Sequence, residues 1–269
     1  MKNYDFFSNK VIVITGASSG IGAEMARQMA GTPATLCLMA RSEKRLQELV
    51  LELSPAGARF CVLPCDVRDA ASVKRAFEKI AREYGRVDIL VNNAGLGVFG
   101  PLDRISIDNL REVIDTNISG VLQVTREALP LMKPQKSGLI VNVSSVAAFH
   151  GQPHLIAYSA SKAALHSISQ GLRIELFRWC IRVLEVQPGV IDNAFHRRAL
   201  GMADHVYRKK QLKGTGEAFL VKSILHAIIH GRKEMTCPRY WFAYKLADRL
   251  FPALIERGII RFLLPTLPE

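Results

Sequence analysis

The sequence lacks the segments that direct a chain into or across a membrane. Its first residues, MKNYDFFSNK, contain no apolar stretch of signal-peptide length, and nowhere do about eighteen apolar residues follow one another. It also has no linker rich in proline, glycine and serine, no low-complexity tract and no internal repeat. We therefore expect a cytoplasmic protein whose 269 residues form one α/β domain.

Cysteine is also scarce. The five cysteines, an odd number, are scattered through mostly apolar, strand-like runs, which is typical of small buried side chains in a reducing compartment. Cys61 and Cys65 are spaced like half of a metal site, but no second pair of cysteines or histidines stands at ligand spacing. We therefore expect no metal.

Acidic residues are fewer than basic ones, 24 against 36, which gives a net charge of +12. Such a balance attracts nucleic acid or acidic lipid, attracts an anionic cofactor, or belongs to a solvated surface without a partner. The basic residues are spread along the predicted helices and are dense only at residues 197–198 and 208–210, and no nucleic-acid-binding motif accompanies them. No nucleic-acid partner is therefore expected.

What the sequence does contain is a glycine-rich junction at residues 10–22, KVIVITGASSGIG. A β-branched apolar run ends there in three spaced glycines, and strong helix formers follow, which predicts a buried strand that turns directly into a helix. Backbone N–H groups and the positive end of the helix dipole then face one point, where the missing Cβ atoms leave room for a pyrophosphate. The spacing Gly-x3-Gly-x-Gly differs from the general dinucleotide pattern, so a glycine-rich turn without a ligand stays the alternative.

The end of the second predicted strand, residues 34–40, indicates which dinucleotide would bind. In nucleotide-binding folds an acidic residue about twenty residues beyond the glycines binds the ribose 2′-hydroxyl. This chain has Arg41 there, whose guanidinium is suited to a 2′-phosphate, while Ser42 caps a helix predicted to end at Leu53. We therefore predict NADP(H) rather than NAD(H), with a plain surface arginine as the alternative.

Two further junctions lie at the same predicted edge of the sheet. Asp66 follows the third strand, residues 59–63, and is placed either to accept a hydrogen bond from an adenine amino group or to stabilise a turn. The fourth strand, residues 87–91, runs into Asn92-Asn93-Ala94-Gly95, which lets a ribose approach the backbone but is also common in tight turns.

Apolar residues at helical spacing predict one long helix over residues 107–132. Asn117 lies near its middle, although asparagine has a poor helix propensity and its side chain competes for backbone partners. We expect a local distortion there, or a water held by a displaced carbonyl.

The fifth predicted strand, residues 138–143, ends in Ser144-Ser145, and a hydroxyl at that edge is suited to binding a substrate carbonyl or alkoxide. A helix predicted over residues 156–179 then places Tyr158 and Lys162 one turn apart on one face. An ammonium about 4 Å from the phenol, at an effective dielectric near 20, favours the phenolate by roughly 4 kcal/mol. That brings the phenol near working pH, where acid–base catalysis is efficient.

Two more strands complete the pattern, one at residues 181–186 and one within residues 231–238. Strands that alternate with helices at this rhythm imply right-handed crossovers. The expected fold is a single doubly wound α/β Rossmann domain over residues 1–238, with a seven-stranded parallel sheet and helices on both faces. Residues 239–269 are expected to add a C-terminal helical extension of the same domain.

The order and spacing of these motifs resemble the short-chain dehydrogenase/reductase family over residues 10–190. The matching stretches are Thr15–Gly22, Asn92–Gly95, Asn117, Ser145, Tyr158–Lys162 and Pro188-Gly189. The resemblance implies an NADP(H)-dependent oxidoreductase that transfers a hydride between nicotinamide and a carbonyl compound or secondary alcohol. It also implies a homodimer or homotetramer.

The family's roles carry over position by position. By this resemblance Tyr158 is the catalytic acid–base, Lys162 lowers its pKa and holds the nicotinamide ribose, and Ser145 rather than Ser144 orients the substrate oxygen. Asn117 would hold a water that links Lys162 to solvent. The implied cofactor contacts are Gly16, Ser18, Ser19, Gly20, Ile21 and Gly22 at the pyrophosphate and adenosine, Arg41 at the 2′-phosphate, Asp66 and Val67 at the adenine, Asn93 at the adenosine ribose, Ile191 at the nicotinamide amide, and Tyr158 with Lys162.

Two stretches depart from the family pattern. Many members carry a threonine shortly after the Pro-Gly pair, where this chain has Asp192-Asn193, so that contact to the nicotinamide amide is in doubt. The common Asp-Gly-Gly ending is replaced by residues 231–269, which resemble the branch that includes 11β-hydroxysteroid dehydrogenase-like and other lipid-handling reductases. This match and the apolar tail predict a steroid, retinoid or fatty substrate.

The C-terminal segment itself has several interpretations. Its mixture of aromatic and basic residues is typical of helices packed on a core or across a dimer interface, and also of a substrate lid or a peripheral membrane contact. Residues 193–214, with clustered bases and little apolar periodicity, are expected to form a mobile loop over the substrate. A non-catalytic NADP(H) sensor and a membrane-surface protein stay open as alternative functions.

Overall fold

The computed structural model describes residues 4–192, 195, 199–201 and 214–267. Most of the predicted loop at residues 193–214 therefore lies outside the described residues, together with the basic groups at residues 197–198 and 208–210. Within the described part of the chain, no helix combines the length and the apolar character needed to cross a bilayer.

The central element is a seven-stranded sheet in which every neighbouring pair of strands is parallel. The strands are β1 (Val11–Thr15), β2 (Thr35–Ala40), β3 (Arg59–Pro64), β4 (Ile89–Asn92), β5 (Gly138–Val143), β6 (Ile181–Pro188) and β7 (Glu234–Cys237). Their order across the sheet is β7-β6-β5-β4-β1-β2-β3. The strand order reverses between β1 and β4, which is where open sheets of this kind bind ligands.

Helices connect these strands, which confirms the predicted doubly wound Rossmann fold. They are α1 (Gly20–Met29), α2 (Glu43–Leu53), α3 (Ala70–Tyr84), α4 (Ile107–Ile114), α5 (Gly120–Met132), α6 (Ile156–Glu175), α7 (Glu217–Ile229), α8 (Trp241–Leu250) and α9 (Pro252–Gly258). Ser42 caps α2 as predicted, since its side chain accepts a hydrogen bond from the Arg45 amide at 3.4 Å.

Apolar side chains bury both faces of the sheet. In β1, Ile12 and Ile14 belong to one core cluster, while Val11 and Val13 belong to the cluster on the opposite face. Successive strand residues point to opposite faces, so a strand covered on both sides must be apolar throughout. This explains the continuous apolar run that precedes the glycine turn.

Some predicted boundaries are wrong. β4 begins at Ile89 rather than at residue 87, because the Asp88 carboxylate accepts the Val11 amide at 2.9 Å and a side chain thus satisfies the first donor of β1. The helix predicted to run to residue 179 ends at Glu175 and is followed by a 3-10 turn. Cys180 ends that turn and is exposed, unlike the other four cysteines, which are buried as expected.

The C-terminal helical extension is present as predicted, but its outer face does not pack on the core of this chain. No residue of α8 or α9 is buried. Phe251, Leu254 and Phe262 are 59%, 66% and 73% exposed, respectively. An apolar face of this kind marks a surface that another molecule can cover.

Candidate active site

The glycine turn after β1 is held against the end of β4 by Asn93. Asn93 Nδ2 donates to the main-chain oxygens of Thr15 and Gly16 at 2.9 and 3.4 Å, and Thr15 Oγ1 accepts the Asn93 and Ala94 amides at 2.9 and 3.0 Å. A Cβ on Gly22 would lie only 2.6 Å from the Gly16 oxygen and 2.7 Å from Asn93 Nδ2. The glycines and Asn93 therefore form one clasp at the strand reversal.

The other residues predicted for the pyrophosphate lie beside this clasp. Gly20 begins α1 directly after Ser18 and Ser19, and its φ of +60° lies in the left-handed region that favours glycine. Ile21 packs against the core below the turn. The Ile21 side chain thus fixes the turn to the core, and the backbone of the turn continues directly into the N-terminus of α1.

Two basic and two acidic side chains meet at the predicted adenosine side: Arg41 follows β2, Asp66 and Arg68 follow β3, and Glu112 belongs to α4. Arg41 is 65% exposed, and its NH1 atom lies 3.8 Å from Glu112 Oε1. Arg68 holds the Asp66 carboxylate with two short contacts, Nε to Oδ1 at 3.0 Å and NH2 to Oδ2 at 2.7 Å, and these hydrogen bonds lower the pKa of Asp66. The NH1 atom of Arg68 donates to Glu112 Oε1 at 2.7 Å.

Val67 and Ile191, two further predicted contacts, are both buried. Val67 packs so closely on the start of α5 that a Cβ on Gly120 would lie 2.8 Å from its Cγ2 atom. Ile191 pairs with Thr215 in a short parallel bridge. Asn193, part of the departure from the family pattern, lies outside the described residues.

The predicted distortion at Asn117 is confirmed, and it corrects the prediction of one uninterrupted helix. A π-helical turn at Asp115–Ser119 separates α4 from α5. Asn117 is fully buried: its Oδ1 accepts the Leu96 amide at 2.8 Å, and its Nδ2 donates to the Leu96 oxygen and to Ser161 Oγ, both at 2.9 Å. The side chain thereby ties the distorted turn to the loop after β4 and to α6.

Tyr158 and Lys162 lie one turn apart on α6, as predicted. Lys162 Nζ donates to the Val143 oxygen at 2.9 Å and lies 5.7 Å from the centroid of the Tyr158 ring. Burial lowers the pKa of Lys162 to about 8, while the Glu185 carboxylate opposes that shift. Glu185 is itself fully buried and contacts His166 Nδ1 at 2.7 Å, so one face of α6 carries the phenol, the ammonium and an imidazole on successive turns.

The structure separates the two serines that end β5. Ser145 Oγ accepts the Ala147 amide at 3.1 Å and donates to the Pro188 oxygen at 3.5 Å. Ser144 Oγ donates to the Lys162 carbonyl oxygen at 3.2 Å. Ser145 therefore belongs to the edge formed with β6, and Ser144 belongs to the contact between β5 and α6.

Asn117 and Lys162 face a common point beside the loop after β4. A Cβ on Gly95 would lie 3.4 Å from Asn117 Oδ1 and 3.5 Å from Lys162 Nζ. On the other side, the Phe195 ring lies 5.7 Å from the Tyr158 ring. The space around Tyr158 and Lys162 is thus bordered by polar groups on one side and by an aromatic ring on the other.

Helix α8 reaches the same edge, as one of the interpretations of the C-terminal segment, a substrate lid, requires. A Cβ on Gly189 would lie 2.4 Å from the indole nitrogen of Trp241, so this glycine is needed for the packing of α8. Two further contacts join α8 to the loop after Ser145: Lys245 Nζ lies 5.3 Å from the Phe149 ring centroid, and His150 Nδ1 lies 2.7 Å from Asp248 Oδ1.

Sequence reasoning assigned no individual role to four residues of this region: Thr15, Arg68, Glu112 and Trp241. Thr15 and Arg68 adjoin predicted site residues, so their chemistry was readable from position. Glu112 and Trp241 carry no local signal, because each reaches the edge from a helix distant in sequence.

Comparison with known proteins identifies the family. The family model described as short chain dehydrogenase matches residues 10–202. An uncharacterised oxidoreductase of Staphylococcus saprophyticus is 38% identical over 187 residues, covering 68% of this chain and 79% of the relative. A solved short-chain dehydrogenase of Sphingobium yanoikuyae in complex with NADPH has a TM-score of 0.78 and 28% identity, covering 94% of this chain and 96% of its own. A short-chain dehydrogenase/reductase of Burkholderia phymatum in complex with NAD has a TM-score of 0.83 and 26% identity, covering 92% and 95%. The chain belongs to the short-chain dehydrogenase/reductase family of oxidoreductases.

Proposed function

We propose that this oxidoreductase uses NADP(H) to interconvert a carbonyl compound and a secondary alcohol, with Tyr158 as acid–base. The single observation that carries this proposal is the buried Lys162 ammonium 5.7 Å from the centroid of the Tyr158 ring. A nearby cation stabilises the phenolate and so makes the phenol a better proton donor near neutral pH.

The residues at the strand reversal fit a dinucleotide. Neither Gly16 nor Gly22 has room for a Cβ, the backbone of the turn enters α1 directly, and Asn93 holds it against β4. A pyrophosphate fits backbone N–H groups at such a turn. Because the solved relatives bind either NADPH or NAD, the choice between them rests here on Arg41, whose largely exposed guanidinium suits a 2′-phosphate.

In the proposed reaction, reduced nicotinamide supplies the hydride when bound. Ser145 Oγ binds the carbonyl oxygen of the substrate, and Tyr158 donates a proton to that oxygen. Lys162 lowers the free energy of the phenolate that remains. Asn117 keeps the loop after β4 and α6 in fixed positions around Lys162, and a water held there would return the proton from solvent to Tyr158.

We infer that the substrate is apolar. The support is the aromatic ring of Phe195 beside Tyr158 and the apolar C-terminal segment whose helix α8 packs on Gly189. A steroid, retinoid or fatty ketone has the apolar surface that such walls would cover. We further propose a homodimer or homotetramer in which a second copy covers the exposed face of α8 and α9.

Mixing the protein with NADPH and a panel of apolar ketones, while following the loss of NADPH absorbance, tests the proposal. Turnover that falls at least about a hundredfold in Tyr158→Phe supports it, because this change removes only the phenolic hydroxyl. Tight NADPH binding without turnover of any carbonyl would instead favour a non-catalytic sensor.

A further inference from the structure

The charged cluster at the adenosine side contains one acid more than a 2′-phosphate site needs. Glu112 Oε1 lies 2.7 Å from Arg68 NH1 and 3.8 Å from Arg41 NH1. One carboxylate oxygen therefore bridges two guanidinium groups. Glu112 belongs to α4. Among the described residues, the side chain of Glu112 contacts no partner other than these two arginines.

Arg68 is fixed by its neighbour, whereas Arg41 is not. The Asp66 carboxylate accepts hydrogen bonds from Nε and NH2 of Arg68, so this edge of the guanidinium faces Asp66. The NH1 atom is left to contact Glu112. In the described part of the chain Arg41 makes one ion pair, to Glu112 at 3.8 Å, and its side chain is 65% exposed. Arg68 is thus held by two carboxylates, whereas Arg41 is held by one long contact and is open to solvent.

A phosphate monoester has the size and charge to replace the bridging carboxylate. Guanidinium groups bind phosphate oxygens at the same distances as carboxylate oxygens, and a dianion gains more than a monoanion from two cations. We propose that Arg41 and Arg68 together bind the 2′-phosphate of the cofactor, and that Glu112 is an internal competitor that must leave before the phosphate binds. This inference rests on the proposed NADP(H) function and names two specificity-determining residues of that site.

The consequence is a reduced preference for the phosphorylated cofactor. With Glu112 in place the four charges of the cluster balance, so a nucleotide without a 2′-phosphate meets a neutral surface. A nucleotide with a 2′-phosphate must first break the contact between Arg68 and Glu112 and then lies beside a displaced carboxylate. Removal of this single negative charge should therefore strengthen binding of the phosphorylated ligand alone.

Calorimetric titration of the full chain with 2′,5′-ADP and with 5′-AMP tests this inference without any turnover, because the two ligands differ only in the 2′-phosphate. In Glu112→Gln we expect 2′,5′-ADP to bind roughly three- to tenfold more tightly, the range for partly buried charge contacts, with 5′-AMP unchanged within about twofold. In Arg68→Lys the ratio of the two affinities should fall by a similar factor, because lysine cannot keep the fork on Asp66 while reaching a phosphate.

Asp108→Asn is the matched control, since it removes one negative charge from the same helix at a side chain that is 92% exposed and contacts only Arg111 at 3.7 Å among the described residues. It should change neither affinity. An equal effect of Glu112→Gln on both ligands, or an equal gain in Asp108→Asn, would overturn the inference and leave the proposed function standing. Failure of the parent protein to bind either nucleotide would overturn both.

Discussion

Replacement of Lys162 by methionine should make the folded protein more stable at neutral pH while abolishing the reaction. Burial lowers the pKa of this lysine from 10.5 to about 8, a shift worth roughly 3 kcal/mol at about 1.4 kcal/mol per unit. The ammonium also donates to the Val143 oxygen at 2.9 Å, and loss of that hydrogen bond costs about 1 kcal/mol. Lys162→Met should therefore raise the free energy of unfolding by about 2 kcal/mol at pH 7.

The sign of this effect should reverse at alkaline pH. Below about pH 8 both the folded and the unfolded chain hold the proton, and the folded chain is destabilised by doing so. Between about pH 8 and pH 10.5 the folded chain has released the proton and the unfolded chain still binds it, so the stability of the parent rises. Near pH 10.5 the lost hydrogen bond to the Val143 oxygen is the main remaining difference in stability between the two proteins. The variant should then be less stable than the parent by about 1 kcal/mol.

Urea unfolding of the parent and of Lys162→Met, followed by circular dichroism at several pH values, measures the difference directly. Contributions from other titrating groups cancel because both proteins contain them. Lys44→Met, at an exposed lysine of α2, is the control, and its difference from the parent should stay constant over the same range. A constant difference for Lys162→Met would refute the idea that this lysine is held as a costly buried cation.

Three further results are expected. Gly22→Ala should abolish binding of NADPH, measured by the change in NADPH fluorescence, because the new Cβ would lie 2.6 Å from the Gly16 oxygen. Gly31→Ala is the control, since nothing lies within 4 Å of a Cβ there, and equal NADPH binding by the two variants would contradict the close packing at Gly22. Glu185→Gln should move the alkaline loss of kcat/KM to lower pH, because the Glu185 carboxylate raises the pKa of Lys162. Glu234→Gln, on the neighbouring strand, should leave the pH profile unchanged, and identical profiles for Glu185→Gln and the parent would show that Glu185 does not set the pKa of Lys162. Leu254→Asp, at a side chain that is 66% exposed, should lower the oligomer mass measured by light scattering. If the oligomer mass is unchanged and the variant instead no longer sediments with anionic vesicles, this face is a membrane contact.

The sheet and the proximity of Tyr158 to Lys162 were predictable because each depends on local pattern. The apolar run of β1 is buried on both faces, so its composition alone indicated a central parallel strand. Tyr158 and Lys162 are one turn apart, and helical periodicity is enough to place them together. Asn117 could be singled out because it is unfavourable in a regular helix, and the π-helical turn bears this out.

The remaining features depend on contacts between distant segments. Nothing near Glu112 in the sequence indicates that it bridges Arg41 and Arg68, which follow two other strands. The late start of the predicted fourth strand follows from a side-chain contact between Asp88 and Val11, 77 residues apart. The sequence left open whether the C-terminal segment packs on the core or against another molecule, because an apolar stripe has the same period in both cases.

The attachment of α8 to the catalytic edge affects how the enzyme can be engineered. Trp241 rests on Gly189, and Lys245 and Asp248 contact the loop that follows Ser145. A truncation at Pro238 would remove the contacts to Gly189 and to the loop after Ser145 instead of merely shortening the chain. Conversely, chimeras that exchange residues 239–267 between relatives should transplant substrate preference while the nucleotide half of the protein keeps its own.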